Sequence, residues 1–427
     1  MTIESGASTN TDSGPGDGEN GDGENGDGEN GDGENIDNNP VAATLAHRPG
    51  PAKSRAEPTR LRWCSLPNDP TRPASAALAA ILARHPATAG LLSGLRADDI
   101  LPMREKGVAH AHYLLQRYGL LLRVPKLSQW ALAPVDNLAY QEACFRRAEP
   151  SGVTPRLHAV LPVDRDLPRG ALLVEAIAGR PPRLPDDLPA LAAALARLHA
   201  LDLPPARERP PLADHSRSGP IVGTLAVIER QAPALEADGM AAATRGALLA
   251  ELAWARRLAA ATPVADQPIA LVGTDTHPGN FILRANGERA AGEAVLVDLE
   301  KALYGSPAID LAHCSLPTST TWDLDIQTVL SRDEIVAFYR CYLDHVGPEE
   351  AARLRPLLAV SRRLTWLRTM MWCVRWRVAA ATSPDWSERR VDPVLLAHIR
   401  SRVAAFFEPE MVAATRAEWL AGPALEF

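Results

Sequence analysis

The sequence has few cysteines, few aromatic residues and no long apolar run, and each shortage excludes a class of protein. Its five cysteines are scattered and form no C-x-x-C pair, which argues against a disulfide framework or a thiolate zinc site and is typical of a reducing cytosol. No stretch approaches the roughly 18 uninterrupted apolar residues of a membrane span. The acidic N-terminus is also the reverse of a signal-peptide start. We therefore predict a cytoplasmic protein with no membrane association.

Positive charge is not in excess either. The 427 residues carry 45 Lys and Arg against 52 Asp and Glu, a formal net charge of -7. Eleven of the acids lie in the first 40 residues, so the rest of the chain holds 45 basic and 41 acidic residues. A body this close to neutral does not indicate a nucleic-acid partner. Nothing in the sequence indicates the oligomeric state.

Composition divides the chain into four parts. Residues 16–35 are four copies of Gly-Asp-Gly-Glu-Asn, which cannot bury enough apolar surface to fold, so we predict residues 1–57 to be a disordered acidic tail. The repeat contains a formal G-x-G-x-x-G, but no apolar strand precedes it, which argues against a dinucleotide site. Residues 58–97 are predicted to be a linker with short helices. A small sheet-containing lobe over 98–179 and a large helical lobe over 180–427 follow.

Hydrophobic periodicity predicts the elements of both lobes. In the small lobe it predicts an antiparallel meander of three strands, a helix and a further strand. Beyond Asp187 the pattern is mostly helical. One β hairpin over Ile269 to Asp298, with its turn near Asn286-Gly287, interrupts the helices. The small-lobe elements are predicted at Ile100 to Glu105, His110 to Arg117, Gly119 to Val124, Asn137 to Ala148 (helix) and Leu172 to Ile177. The fold class is therefore predicted to be α+β, with two lobes.

Polar residues concentrate in the predicted hairpin. An apolar strand leads into a turn that contains Asp275 and Asn280, and a later strand ends at Asp298 and Glu300. Mg²⁺ prefers hard oxygen ligands, so one carboxylate and one amide oxygen can hold it against substrate phosphates. A second carboxylate, kept off the metal, can orient an attacking hydroxyl. The structural alternative is that Asp275 caps the turn and Asn280 supplies a turn conformation.

At these residues the sequence resembles the aminoglycoside phosphotransferase and choline kinase family, the small-molecule branch of the protein-kinase-like fold. The family pattern is H-G-D-x-H-x-x-N, then a strand ending in D-x-E, then G-x-P-x-x-D-[LI]-A. Asp275, His277 and Asn280 match the first element, Asp298 and Glu300 the second, and the segment from Gly305 to Ala312 the third. The sequence departs from the pattern where Gly273 replaces the first His and Thr274 the usual Gly.

The resemblance implies roles for the matching residues. It implies Asp275 as catalytic base, Asn280 and Asp298 as magnesium ligands, and Asp310 as a buried brace for the catalytic loop. It also implies that Arg123, on a small-lobe strand, reaches the nucleotide phosphates and pairs with Glu142 on the following helix. Lys126 is the competitor for the phosphate role, with a solvated charge as the alternative.

Glu175 and Ile177 lie in the segment that the resemblance identifies as the connector between the lobes, whose backbone would bind the adenine of ATP. Several other polar and aromatic residues have a structural and a functional interpretation. His199 is interpreted as structural rather than catalytic. The pair His110 and His112 could ligate metal or face solvent, Trp372 and Trp376 could form an aromatic cage or pack in the core, and Asp323 and Asp325 could face a cationic acceptor or be solvated.

The sequence therefore predicts an ATP- and Mg²⁺-dependent phosphotransferase that moves a phosphoryl group to a hydroxyl of a small molecule. Aminoglycoside-, amino alcohol- or sugar-like acceptors all fit the resemblance. No Walker phosphate loop, nucleophile elbow or H-E-x-x-H metal helix is present. The alternative is a nucleotide-binding pseudokinase with a regulatory role, motivated by Gly273 and by the acidic tail.

Overall fold

The computed structural model describes residues 73–264, 267–285, 292–382, 391–421 and 425–427. The predicted tail, residues 58–72 of the predicted linker and the predicted turn at Asn286-Gly287 lie outside the described residues. The strands are β1 (Leu101–Pro102), β2 (His110–Leu115), β3 (Leu120–Pro125), β4 (Leu157–Leu161), β5 (Ala171–Glu175), β6 (Gly179–Arg180), β7 (Ala270–Val272), β8 (Phe281–Arg284), β9 (Ala294–Leu296) and β10 (Leu303–Gly305).

Helices occupy most of the remaining described residues. In chain order they are α1 (Ser75–Arg84), α2 (Pro86–Ala89), α3 (Pro134–Ala148), α4 (Leu188–His199), α5 (Pro220–Gln231), α6 (Ala234–Ala237), α7 (Ala242–Ala261), α8 (Pro307–Ser315), α9 (Pro317–Thr320), α10 (Arg332–Val346), α11 (Pro348–Thr382), α12 (Pro393–Phe406) and α13 (Pro409–Leu420). None of the described helices is both long enough and apolar enough to cross a membrane.

The first five strands form one antiparallel sheet in the order β1-β2-β3-β5-β4. The predicted meander of three strands is therefore present, but β4 was not predicted. Alternation along β2 and β3 gives the sheet two different faces, because successive side chains of a strand point to opposite sides. One face carries apolar residues such as Tyr113 and Leu122, which pack against Leu78 and Leu82 of α1. The opposite face carries Arg123, directly across from His112 in the register.

Two short sheets support the polar loops of the helical lobe. β8 pairs with β9 and β6, whereas β7 pairs with β10. The predicted hairpin is present as the antiparallel pair of β8 and β9, whereas the strands on either side of the polar turn, β7 and β8, belong to different sheets. The pairing of β8 with β9 continues past the strand ends towards the polar turn, because Val297 N donates to Asn280 O at 2.9 Å.

Helices α4, α8, α10 and α11 pack into the core that supports these sheets. The 35-residue helix α11 follows Gly347, whose φ of +83° lies in the region that favours glycine. Trp366 and Trp376 of α11 are buried in the same apolar cluster, and Trp376 stacks with no aromatic ring of the described residues. Core packing is thus what these tryptophans do, and the aromatic-cage interpretation of Trp376 was wrong. The whole is an α+β, protein-kinase-like arrangement of two lobes, as predicted.

Candidate active site

A polar loop over residues 273–280 connects β7 to β8. It is held by Asp310, which lies in the first turn of α8 and is fully buried. One carboxylate oxygen of Asp310 accepts from the backbone N–H of Gly273 and the other from that of Thr274, both at 2.7 Å. His199 Nε2 lies 3.0 Å from the same carboxylate, and its Nδ1 lies 2.8 Å from the Tyr342 hydroxyl. Asp310 therefore fixes the backbone that enters the loop.

Position 273 has no room for a larger side chain. A Cβ atom built on Gly273 would lie 2.8 Å from Thr276 Cγ2 and 3.1 Å from Leu296 Cδ2. Thr276 is itself fixed, because its hydroxyl donates to the Asp310 carbonyl at 2.9 Å. The glycine that departs from the family pattern is therefore required by the packing of this particular loop.

Thr274, the other departure, has a φ of +57°, a left-handed conformation that is unusual for a β-branched residue. The contacts of Thr274 explain how this conformation is held. Its hydroxyl donates to the Lys301 carbonyl at 2.9 Å, and the half-buried Arg368 donates from its guanidinium to the Thr274 carbonyl at 2.8 Å. Neither Lys301 nor Arg368 was singled out from the sequence.

Asp275 follows at the point where the loop faces the cleft, with 21% of its side chain exposed. Its Oδ2 accepts from Lys301 Nζ at 2.6 Å, and its Oδ1 lies 3.7 Å from His313 Nε2. Burial on its own would raise the pKa of Asp275, but the charge and hydrogen bond of Lys301, together with His277 and His313, outweigh it and lower the pKa well below the usual value. Burial lowers the pKa of His313 to about 3, so His313 is neutral and Asp275 is ionised at pH 7.

Asn280 and Asp298 lie beside Asp275. Asn280 Nδ2 donates to the Asp275 carbonyl at 2.7 Å, and the chain reaches Asp298 one residue after the Val297 N–H that is bonded to the Asn280 carbonyl. The structure therefore brings together the three residues that the sequence singled out. One hydrogen bond within the loop and one between the adjoining ends of β8 and β9 maintain their proximity.

Arg123 pairs with Asp298 rather than with Glu142. One guanidinium nitrogen of Arg123 lies 2.8 Å from Asp298 Oδ1, and the other donates to the Val297 carbonyl at 2.9 Å. Burial would raise the pKa of Asp298, but Arg123 lowers it. Glu142 instead accepts from Arg146, one turn further along α3, at 2.7 Å. The predicted pair was wrong because α3 turns Gln141, the preceding residue, towards the sheet and Glu142 away from it.

Gln141 contacts a second polar group at this site. Its Oε1 lies 3.0 Å from His110 Nε2, and His110 Nδ1 lies 3.7 Å from Glu300 Oε2. Burial lowers the pKa of His110 to about 4 and raises that of Glu300 to about 8. His110 is therefore buried rather than solvent-facing. Together with Asp298, the side chains of His110 and Glu300 offer atoms within 4.8 Å of one another that could hold a metal ion.

The loop between β1 and β2 covers the open side of the site. Lys126 is not a solvated charge, because it is buried and its Nζ lies 2.7 Å from Glu105 Oε2 of this loop. Lys106 forms an ion pair with Asp325 and lies 3.8 Å from Asp323. Asp323 is buried rather than solvated and lies against Gly279 of the catalytic loop.

The connector between the lobes begins where β5 ends at Glu175. The Glu175 carboxylate pairs with Arg284 of β8 at 2.9 Å, so this side chain joins the first sheet to the second. Ile177 is half-buried in the segment between β5 and β6. Glu175 and Ile177 thus lie in the segment that connects the two lobes.

The sequence model of the phosphotransferase enzyme family matches residues 105–357, which is more than half of the chain. The chain belongs to this family.

The chain is also similar to solved structures. A candidate aminoglycoside phosphotransferase from Ralstonia eutropha shares 12% identity over 80% of this chain and 97% of its own, with a TM-score of 0.51. An ethanolamine kinase from Plasmodium vivax shares 13% identity over 74% of this chain and 85% of its own, with a TM-score of 0.48. A spectinomycin phosphotransferase in complex with ADP and spectinomycin shares 12% identity over 74% of this chain and 93% of its own, with a TM-score of 0.48. No curated protein sequence matches the chain.

Proposed function

We propose that the protein is an ATP- and Mg²⁺-dependent kinase that transfers the γ-phosphoryl group to a hydroxyl of a small molecule. The observation that carries the proposal is the convergence of Asp275, Asn280 and Asp298 at one end of the cleft between the lobes. The Asn280 amide is bonded to the Asp275 carbonyl at 2.7 Å, so the base and one metal ligand are placed by a single loop.

The residues fit a magnesium ion. Because the Asn280 nitrogen is bonded to the loop, its side-chain oxygen is directed away and has no partner among the described residues. Asp298 supplies an ionised carboxylate, and both are the hard oxygen donors that Mg²⁺ prefers. When bound, the ion neutralises charge on the nucleotide phosphates. Arg123 beside Asp298 would hold the phosphates, and the backbone near Glu175 and Ile177 would hold the base.

The chain's own residues then act on the acceptor. Asp275 Oδ2 is occupied by Lys301, so Oδ1 is the oxygen that can accept the proton of an acceptor hydroxyl. Asp310 keeps the loop in place through its bonds to the backbone of Gly273 and Thr274. Catalysis is then positioning and charge neutralisation, as in other phosphoryl transfers.

Turnover of ATP with a panel of aminoglycosides, amino alcohols and sugars tests the proposal. We expect one class of acceptor to be phosphorylated by the wild type, and Asp275→Asn to lower kcat by about 10²-fold or more, since general-base catalysis contributes 10²–10⁴-fold. Asp344→Asn is the matched control, because Asp344 is exposed on α10. A wild type that binds Mg-ATP but transfers phosphate to no acceptor would favour the pseudokinase alternative.

Nucleotide binding tests the metal assignment separately. We expect Asp298→Ala to abolish the Mg²⁺-dependent part of ATP affinity, measured by calorimetry with and without the metal. An Asp298→Ala variant whose affinity still rises on adding Mg²⁺ would remove Asp298 from the metal site.

A further inference from the structure

Lys301 is a buried cation to which the family pattern assigns nothing. It follows Glu300 in a tight turn, in which Ala302 N donates to the Leu299 carbonyl at 2.9 Å. Its own carbonyl accepts the Thr274 hydroxyl at 2.9 Å. The backbone of Lys301 is therefore tied to the catalytic loop, and the residue that ties it is the threonine found where the family has glycine.

The side chain of Lys301 returns to the same loop. Its Nζ lies 2.6 Å from Asp275 Oδ2, and only 16% of the side chain is exposed. Burial on its own would lower the pKa of Lys301, but Asp275 and Glu300 raise it, so the ammonium is charged. The charge of Lys301 also lowers the pKa of Asp298, which places it within electrostatic reach of both carboxylates of the site.

The ammonium has hydrogen-bonding capacity that the described residues do not use. It carries three N–H groups, and Asp275 is its only hydrogen-bond partner in the described part of the chain. The other cations nearby are occupied differently, since Arg368 holds the Thr274 carbonyl and Arg123 holds Asp298. A largely buried donor without an acceptor is costly, so a ligand that supplies oxygen atoms here would bind favourably.

From this geometry we infer that Lys301 is a catalytic residue, whose ammonium contacts the γ-phosphoryl oxygens during transfer while it holds Asp275. The inference rests on the proposed function. A group in transfer from the nucleotide at Asp298 to an acceptor at Asp275 must pass between these carboxylates, and Lys301 is the cation attached to the acceptor side. Thr274 is a positioning residue, because it acts through the Lys301 backbone.

Phosphoryl transfer exchanges one bond to the γ-phosphorus for another. The acceptor hydroxyl oxygen forms a bond to the γ-phosphorus, and the bond from the γ-phosphorus to the β,γ-bridging oxygen breaks. ADP leaves with that electron pair, and the hydroxyl proton passes to Asp275 Oδ1. Lys301 gives up no proton, since its role is to offset negative charge on the γ-phosphoryl oxygens.

Calorimetry without an acceptor separates a direct phosphate contact from simple neutralisation of Asp275. The measured quantity is the ratio of affinities for a non-hydrolysable Mg-ATP analogue and for Mg-ADP. We expect Lys301→Met to lower this ratio about tenfold or more, as for loss of a charge-assisted hydrogen bond, while Mg-ADP affinity stays within about twofold. Lys301→Arg should retain part of the preference for the triphosphate.

The double variant Lys301→Met/Asp275→Asn removes the carboxylate that would otherwise be left bare. If Lys301 contacts the phosphoryl group, the ratio stays low in the double variant. A ratio that returns to the wild-type value would overturn the inference, since Lys301 would then act only by neutralising Asp275. Arg256→Met, which removes an exposed cation paired with Glu229, is the matched control.

The same binding measurements also cover a variant that does not fold and a wild type that does not bind nucleotide. Should Lys301→Met not fold, judged by its circular dichroism, Lys301→Gln takes its place, and an unchanged ratio in that variant would also overturn the inference. A wild type that binds neither nucleotide overturns both proposals. A wild type that shows the Lys301-dependent ratio but phosphorylates no acceptor would contradict the kinase proposal alone.

Discussion

Replacing Asp310 by asparagine keeps the shape of the side chain but changes what it can accept. The carboxylate accepts from Gly273 N at one oxygen and from Thr274 N at the other, both at 2.7 Å, and it is fully buried. An asparagine amide has one oxygen, so its NH2 group would face one of these N–H donors. One bond to a charged group, worth about 1.5–3 kcal/mol, is lost, and a buried backbone donor is left unsatisfied.

We therefore expect Asp310→Asn to lower the free energy of unfolding by about 3 kcal/mol, a large share of the 5–15 kcal/mol typical of folded domains. The loop it holds also carries Asp275, and a displacement of about 1 Å at a reacting group can cost about 10²-fold in rate. We expect kcat to fall by about that factor, with nucleotide affinity changed far less, because Arg123 and Asp298 lie outside the segment that Asp310 holds.

Urea denaturation followed by circular dichroism measures the first quantity, and turnover at saturating substrate measures the second. Asp344→Asn on the exposed face of α10 is the control and should change stability by less than about 0.5 kcal/mol. A loss below about 1 kcal/mol in Asp310→Asn would refute the reasoning, because it would mean that the two backbone hydrogen bonds contribute little.

Three further changes follow from the same structure. Gly273→His, which restores the family residue, should lower the melting temperature and not raise kcat, because its Cβ would lie 2.8 Å from Thr276 Cγ2; an active variant of wild-type stability would contradict this. Gly279→Ala should cost about 1–3 kcal/mol by displacing Asp323, whose Oδ2 would lie 2.5 Å from the new Cβ, and an unchanged urea midpoint would count against it. Burial, and to a lesser extent the charge of Arg368, lowers the pKa of His215 to about 4 in the folded protein. As the pH falls below about 6.5, His215 is therefore protonated in the unfolded chain while it is still neutral in the folded one. The free energy of unfolding should then fall by about 2 kcal/mol between pH 6.5 and 4, and His215→Asn should flatten that slope; equal slopes would exclude His215 as the cause.

The sequence predicted well which residues share the polar loop, because that information is local. Asp275 and Asn280 are five residues apart in one turn, and Asp310 belongs to a motif close behind it. The α+β class and the first three strands were also predicted, since alternation along a strand depends only on the strand itself. The local pattern does not reveal which strands pair with each other. The pattern of β7 shows that it is a buried strand, but it does not show that β7 pairs with β10.

The incorrect predictions concern side chains whose surroundings come from distant parts of the chain. Lys126 is buried because Glu105 lies on the loop above it, and His110 because Gln141 and Glu300 approach from α3 and from the end of β9. Arg123 pairs with Asp298, which is 175 positions away in the sequence. Glu142 is not its partner, because the side chain of Glu142 points away from the sheet while that of the preceding residue points towards it. Helical phase at that precision requires the packed structure.

The two departures from the family motif each fit the contacts of the polar loop. A histidine at position 273 would overlap Thr276, while Thr276 itself bonds to Asp310. A glycine at position 274 would adopt the observed φ without strain, but it would lack the hydroxyl that holds the Lys301 carbonyl. Gly273 therefore leaves room for Thr276, and Thr274 adds a hydrogen bond to the loop that carries Asp275. The left-handed φ of Thr274 is therefore maintained together with the hydrogen bond that places the Lys301 backbone, and with it the lysine side chain, beside Asp275.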